Sequence, residues 1–384
     1  MTKEASPPPL AGTVVLSIGH TLPGLHCLAA LRDLGAEVIR IERPTAGDVR
    51  GQYAGVADAF PIRSLIAGTH SLELNLKLAA GAAAFRRMAE RVAVVLEGFR
   101  PGVAHRLGID YETLRVSNPA LVYAAITGYG QAGPDRDRAG HDINYLAETG
   151  VLGLSNPLGL PGVTFADGMA GLGAALNVVA AVHGASRSGE GQLLDCAIID
   201  GPLQLMASEL EHYWRTGQSR GAGATHLTGR HAWYDVHATA DGRAVAVGAV
   251  EPPFFDALWR GLGDAELDID QFAESEAREA ARETITTAFA SRTRDEALEL
   301  FANEEACVSP VRDTAEVAES ALMDRALRPG RDADERLVRS VVRLPTLPLA
   351  LENHAAGVLE GLGFTAEEID ALIDAGVVSE EGSV

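Results

Sequence analysis

Between residues 13 and 127 the chain repeatedly alternates short apolar runs with segments whose apolar positions recur at helical spacing. "TVVLSI", "EVIRIE", "HSLELNL", "AVVLEGF" and "LVYAAIT" read as strands; "LHCLAALRDLG" and "GAAAFRRMAERV" read as helices between them. Strands this apolar need cover on both faces, and helices interleaved with them supply it as crossovers on a parallel sheet. The expected fold class is α/β: a Rossmann-like large domain with a parallel sheet.

Further along, residues 167–186 predict a helix of small residues, "GQLLDCAI" a return to strand, and "DGPLQLMASELEHYWRT" one long helix. Residues 216–230, "TGQSRGAGATHLTGR", read as a linker. "WYDVHATADGRAVAVGAV" then predicts a hairpin turning at Asp241 and Gly242, followed by helices from "PPFFDALWRGLG" and "EARETITTAFASRTRDEALELFAN". The expected organisation is a large α/β domain beginning at 1–215, a linker at 216–230, a small α+β domain at 231–330 and a C-terminal segment, 331–384, returning to the large domain. In that last segment Thr365 and Glu368 have the spacing of a capping box.

Composition narrows the function. The net charge of −21 argues against polyanions overall, yet residues 1–140 carry 15 basic and 13 acidic residues, against 17 and 40 in the remainder. The first third is therefore free to bind phosphate groups, while the acidic load favours solubility. No basic stripe with interleaved aromatics appears, so no nucleic acid partner is expected. No run of eighteen apolar residues appears, so no membrane span is expected. "MTKEASPPPLAG" has no apolar signal core and reads as a lead-in to the first strand. Cys27, Cys196 and Cys307 are far apart and form no CxxC pair, which points to a reducing, cytoplasmic setting and against a thiolate metal site. The only lysines are Lys3 and Lys77, which leaves little room for Schiff-base chemistry.

Three motifs are set aside. "GYGQAG" (Gly128, Gly130, Gly133) has dinucleotide-binding spacing, but Pro134 and "DRDR" follow where a helix should begin. "GQSRG" matches a nucleophile elbow yet follows a helix instead of a strand. His226, His231 and His237 are close in sequence without sharing a helix face, so no metal is assigned to them.

The chemistry concentrates in "AGHDINYLAETG". His141 is the strongest candidate, since imidazole exchanges protons near neutral pH. Asp167, in "TFADGMAGLG", reads either as the cap of the small-residue helix or as a catalytic carboxylate beside free backbone N–H groups. Glu251 closes a strand before two prolines, where it is either a surface charge or a partner for a histidine.

"LRDLGAEVIRIERP", "EGFRPGVAHRLGID", "TGYGQAGPDRDRAGHDINYLAETG", "FADGMAG", "GEGQLLDCAIIDG" and "VGAVEPPFF" occur in one order. Together they resemble the class III CoA-transferase superfamily (CaiB/BaiF type) and, within it, the α-methylacyl-CoA racemases, over nearly the whole chain. Transferases of the superfamily keep an aspartate matching Asp167 as nucleophile and usually lack the histidine, so His141 is what points to a racemase. The resemblance implies 1,1-proton transfer at the α-carbon of a 2-methylacyl-CoA, with His141 serving one face, Asp167 the other (Asp142 being the alternative there), and Glu251 paired with His141. The alternatives it leaves are a CoA transferase working through Asp167 and a CoA-binding member without catalysis. It assigns the CoA phosphates to Arg43 and Arg100, and the pantetheine and thioester to Gly140, Asp142, Ile143, Asn144 and Tyr145. It also implies an interlocked homodimer and no cofactor or metal beyond the CoA of the substrate. One departure stands out: the basic run such chains carry before the third strand is replaced by "IAGTHSLELNLK", around His70.

Overall fold

The computed structural model describes residues 7–44, 62–263, 270–329, 335–342 and 355–379. Lys3 and the first half of the lead-in lie outside the described residues, as do 331–334, 343–354 and 380–384 of the returning segment.

Six strands form one wholly parallel sheet: β1 (Val14–Ile18), β2 (Glu37–Glu42), β3 (His70–Glu73), β4 (Val94–Glu97), β5 (Val122–Thr127) and β6 (Leu193–Ala197). Their order is β3-β2-β1-β4-β5-β6, so the direction of winding reverses between β1 and β4. The loops after β1 and β4 meet there: a Cβ added at Gly98 would stand 2.2 Å from the Gly19 carbonyl oxygen, and one at Gly19 would stand 2.7 Å from the Phe99 ring.

Helix Leu22–Asp33 links β1 to β2, and the long helix Phe165–Ser188 precedes β6. The long helix buries Ala170, Ala174, Val178, Ala181 and Ala185, spaced three and four apart on one face. Small residues there permit close approach to helix Leu22–Asp33. A Cβ added at Gly171 would stand 2.5 Å from both the His26 Cβ and the Pro23 carbonyl. By length and composition alone this helix is also apolar enough to cross a membrane. Its buried alanine face belongs to the core of the fold.

The core gathers Leu16, Ile39, Leu72, Phe85, Met88 and Tyr123 with Leu359, Phe364 and Ile369 from the far end of the chain. The returning segment is pinned in place. Leu74 and Val378 form an antiparallel bridge, and the Asn75 N–H donates to the Val377 carbonyl at 2.9 Å. Thr365 and Glu368 form the capping box of helix Ala366–Asp374, and Arg87 reaches Glu368 at 2.6 Å while lying over the Phe364 ring.

A separate sheet, β7 (Tyr234–Ala238), β8 (Ala244–Gly248) and β9 (Val308–Pro310), is antiparallel. Its hairpin turns at Gly242, whose φ of 75° suits a residue without a Cβ. Trp233, Val247, Leu258, Trp259, Ile285 and Phe289 form its own core with helices Pro252–Leu262 and Ser275–Ala290. A short antiparallel pair, β10 (Leu327–Pro329) and β11 (Arg336–Val338), follows.

The chain divides into two compact units, residues 1–149, 161–205 and 324–384 in the first, 150–160 and 206–323 in the second. The expected boundary at 215 and the expected linker at 216–230 therefore differ from the observed division. The reason is local: the single helix expected over 200–216 is two, Asp200–Leu205 and Ala207–Thr216, broken at Met206. The division falls at that break.

Candidate active site

β5 delivers the chain to the carboxyl edge of the sheet, where "GYGQAG" turns back. The Gly130 N–H donates to Thr127 Oγ1, and the Gln131 N–H to both oxygens of Asp195 on β6, at 3.1 and 2.9 Å. No helix begins until Asp142, so this turn lacks the helix N-terminus a pyrophosphate needs.

The loop is then clasped to the helix it precedes, Asp142–Glu148. Arg138 holds Glu148 through two bonds, at 3.0 and 2.7 Å, and Asp135 at 2.9 Å, and it lies 4.8 Å over the Tyr129 ring. The Tyr129 hydroxyl donates to the same Glu148 at 2.8 Å. A planar fork bonded in this bidentate way fixes direction as well as distance.

At the head of that helix stands His141, exposed, in the N-cap position. Its N–H donates to Asn144 Oδ1 at 3.0 Å, so Asn144 is occupied in capping. Ile143 is exposed beside it, whereas Tyr145 turns inward and is only 3% exposed. The Tyr145 ring fills the space that Cβ atoms at Gly128 and Gly140 would occupy, 2.5 and 2.9 Å from its atoms. Burial, with Tyr129, Asp167 and Glu148 nearby, pushes its phenol up to about 12.

Asp167 lies in the first turn of the long helix and does not cap it; Thr164 occupies the N-cap. Its N–H donates to Asp142 Oδ1 at 3.0 Å, joining the starts of two helices. Burial first and the Asp142 carboxylate second push the Asp167 carboxyl up to about 6, with His141 pulling the other way. His141, Asp142 and Asp167 thus form one corner.

The remaining predicted residues stand elsewhere. Arg43 and Arg100 are exposed, just beyond the carboxyl ends of β2 and β4, the strands flanking β1. Glu251, in the second unit, is exposed at the N-cap of helix Pro252–Leu262 and makes no capping bond with its side chain. His70 is a buried residue of β3. Among the described residues no cluster suited to a metal occurs. His226 and His231 stack 5.0 Å apart and 10° from parallel, so no point lies in the plane of both rings. Cys27, Cys196 and Cys307 are free thiols.

Sequence patterns gave no warning of Glu97. It is buried at the end of β4, accepts the Phe99 N–H at 2.8 Å, and burial pushes it up to about 7. Nor did they reveal the Arg138–Glu148 clasp, whose partners are too far apart in sequence for helical or turn spacing.

A six-stranded parallel sheet in this order, and a histidine–aspartate corner beyond β5, agree with one family. The chain belongs to CoA-transferase family III, whose sequence profile matches residues 10–361. It is 33% identical to the α-methylacyl-CoA racemase of Homo sapiens, over 94% of this chain and 95% of that one. It is also 34% identical to the succinyl-CoA–D-citramalate CoA-transferase of Chloroflexus aurantiacus, over 72% of this chain and 71% of that one. A CaiB/BaiF family protein of known structure from Brucella suis superposes with a TM-score of 0.77 at 25% identity, covering 93% of this chain and 100% of that one.

Proposed function

We propose that this chain is a racemase or epimerase acting on 2-methyl-branched acyl-CoA thioesters. The observation that carries this reading is the corner itself: an exposed imidazole beside a half-buried carboxyl whose proton affinity is raised to about 6. A nucleophilic aspartate has no need of a neighbouring imidazole, whereas a pair of opposed proton carriers does.

In the proposed reaction one base takes the α-proton, and the electrons of that C–H bond pass to the thioester oxygen. The other base then delivers its proton to the opposite face, and the electrons return to the α-carbon. His141 serves one face and Asp167 the other. The enolate oxygen is held by the N–H groups of Phe165 and Ala166, which precede the first intrahelical bond, from Gly168 to Thr164. Arg43 and Arg100 take the CoA phosphates, and residues 140–145 line the pantetheine and thioester. Glu251, in the second unit, is proposed as the glutamate of the racemase set. Nothing is oxidised or reduced, so the step asks for no cofactor beyond the CoA of the substrate.

The proposed assembly is a homodimer. Leu172 and Leu176 on the long helix, with Leu203 and Leu205 on the next, leave apolar surface exposed on the first unit. Light scattering across a dilution series should give twice the chain mass.

In heavy water the enzyme should wash deuterium into C2 of a 2-methylacyl-CoA and equalise its two configurations. Transfer of CoA between free acids without any C2 exchange would instead identify a transferase. Tight CoA binding with neither activity would identify a binding protein.

A further inference from the structure

Two opposed bases that serve both configurations of a substrate must share a single proton. One configuration is met by neutral imidazole with a protonated carboxyl, the other by imidazolium with a carboxylate. Ordinary side chains divide these forms very unevenly: imidazole and aspartate differ by about 2.6 pH units, roughly 400-fold in favour of the ion pair. A site built to run both ways has to narrow that gap.

Asp142 is placed to do so. Its Oδ1 accepts the Asp167 N–H at 3.0 Å, which holds its carboxylate against the turn that carries the Asp167 side chain. The bond replaces a missing cap, because Thr164 makes no side-chain bond to the helix it opens. The other ionisable groups on the elements packed against the long helix are Tyr145 and Glu148 from the Asp142 helix, with His141 at its N-cap, His26, Cys27, Arg32 and Asp33 from helix Leu22–Asp33, Asp200 from helix Asp200–Leu205, and Tyr123, Asp195 and Cys196 from β5 and β6. Burial does most to raise the proton affinity of the Asp167 carboxyl, Asp142 raises it further, and His141 lowers it.

We propose that Asp142 is the positioning residue for Asp167: it fixes the first turn of the long helix and gives the carboxyl there a negative neighbour, so that the two bases hold their shared proton on similar terms. Sharing between two bases rests on the racemase reading; the influence of Asp142 on Asp167 does not.

The test separates the two. Asp142→Asn keeps an oxygen to accept the Asp167 N–H and removes the charge. Carbon-13 NMR of the aspartate carboxyls, with the Asp167 signal assigned by its loss in Asp167→Asn, gives the titration midpoint directly in the ligand-free protein. In Asp142→Asn that midpoint should fall by about one unit, as expected for removal of a carboxylate in contact, and the acid limb of racemisation should move down with it. A midpoint left where it stands in the native protein overturns the proposal. If the midpoint falls while neither protein exchanges deuterium at C2, the role of Asp142 stands and the racemase reading fails. Should Asp142→Asn not fold, Asp142→Ser offers the same acceptor without the charge and is judged by the same midpoint.

Discussion

The corner at Asp167 and the helix start at Glu251 both present a carboxylate beside a helix N-terminus, yet they are built in opposite ways. The first is tied down from every side. Asp142 takes a backbone N–H, Asn144 caps His141, Tyr145 fills the space below two glycines, and Arg138 clasps the loop to Glu148. Glu251 is exposed, and its side chain makes no capping bond. A group that must meet a proton at a set distance gains from such support, because misplacement by an ångström costs heavily in rate. A group that acts through another residue needs only to reach it.

The strongest way to break this comparison is to remove the bases. Asp167→Ala or His141→Ala should stop racemisation, a loss of about 10²–10⁴-fold for each proton carrier. Each variant should still exchange deuterium into one configuration, and opposite ones in the two cases. A folded Asp167→Ala protein that racemises at the native rate would remove Asp167 from the mechanism. Glu251→Gln should reduce the rate less than either, and should change thermal stability by no more than about 0.5 kcal/mol, as expected at an exposed position. A large loss of stability would show that Glu251 is tied into the structure after all.

Gly140→Ala probes the support of the corner. The added Cβ would meet the Tyr145 ring at 2.9 Å and the Tyr129 hydroxyl at 3.1 Å. It should cost about 1–3 kcal/mol through overpacking, measured by denaturant unfolding, and lower the turnover rate as the Asp142 helix shifts. Unchanged stability would mean that Tyr145 gives way freely.

The smallest effect sharpens the comparison through pH. The folded value of Asp167, about 6, lies above its ordinary 3.8, so the folded state holds that proton more tightly than the unfolded chain. Stability therefore falls as pH rises from about 4 to about 6 and is level beyond. Asp167→Asn should remove this slope, matching the native protein below pH 4 and exceeding it above pH 6 in melting temperature. Curves that stay parallel throughout would show that the carboxyl carries no raised affinity in the fold.

The parallel sheet was legible because its signal is local and repeated: apolar runs of strand length between helical patterns. The capping box at Thr365 and Glu368 was legible for the same reason, three residues apart. The break at Met206 was not, since "LQLMASEL" is good helix sequence on both sides and only its packing divides it. His141 and Asp167 stood out as residue types, but the bond that joins their neighbourhood runs from Asp142 to residue 167, and no periodicity links such positions. The resemblance placed Asp142 near substrate and as the alternative to Asp167 for the second face, not as its support. Nothing in the sequence links Tyr145 to Gly128 and Gly140, the glycines that make room for its side chain.

The returning segment bears on how the protein is made. Leu359, Phe364, Ile369 and other residues between Ala355 and Val378 complete a core whose remaining members lie between Leu16 and Ala125. While a ribosome is still producing the second unit, the sheet already outside it lacks part of its cover, and apolar side chains stay wet until the last stretch of chain emerges. Contacts spanning such separations close slowly. The first unit to begin synthesis is thus the last to finish folding, and in the interval its β3 edge is where a chaperone has most to protect and a neighbouring nascent chain most to stick to.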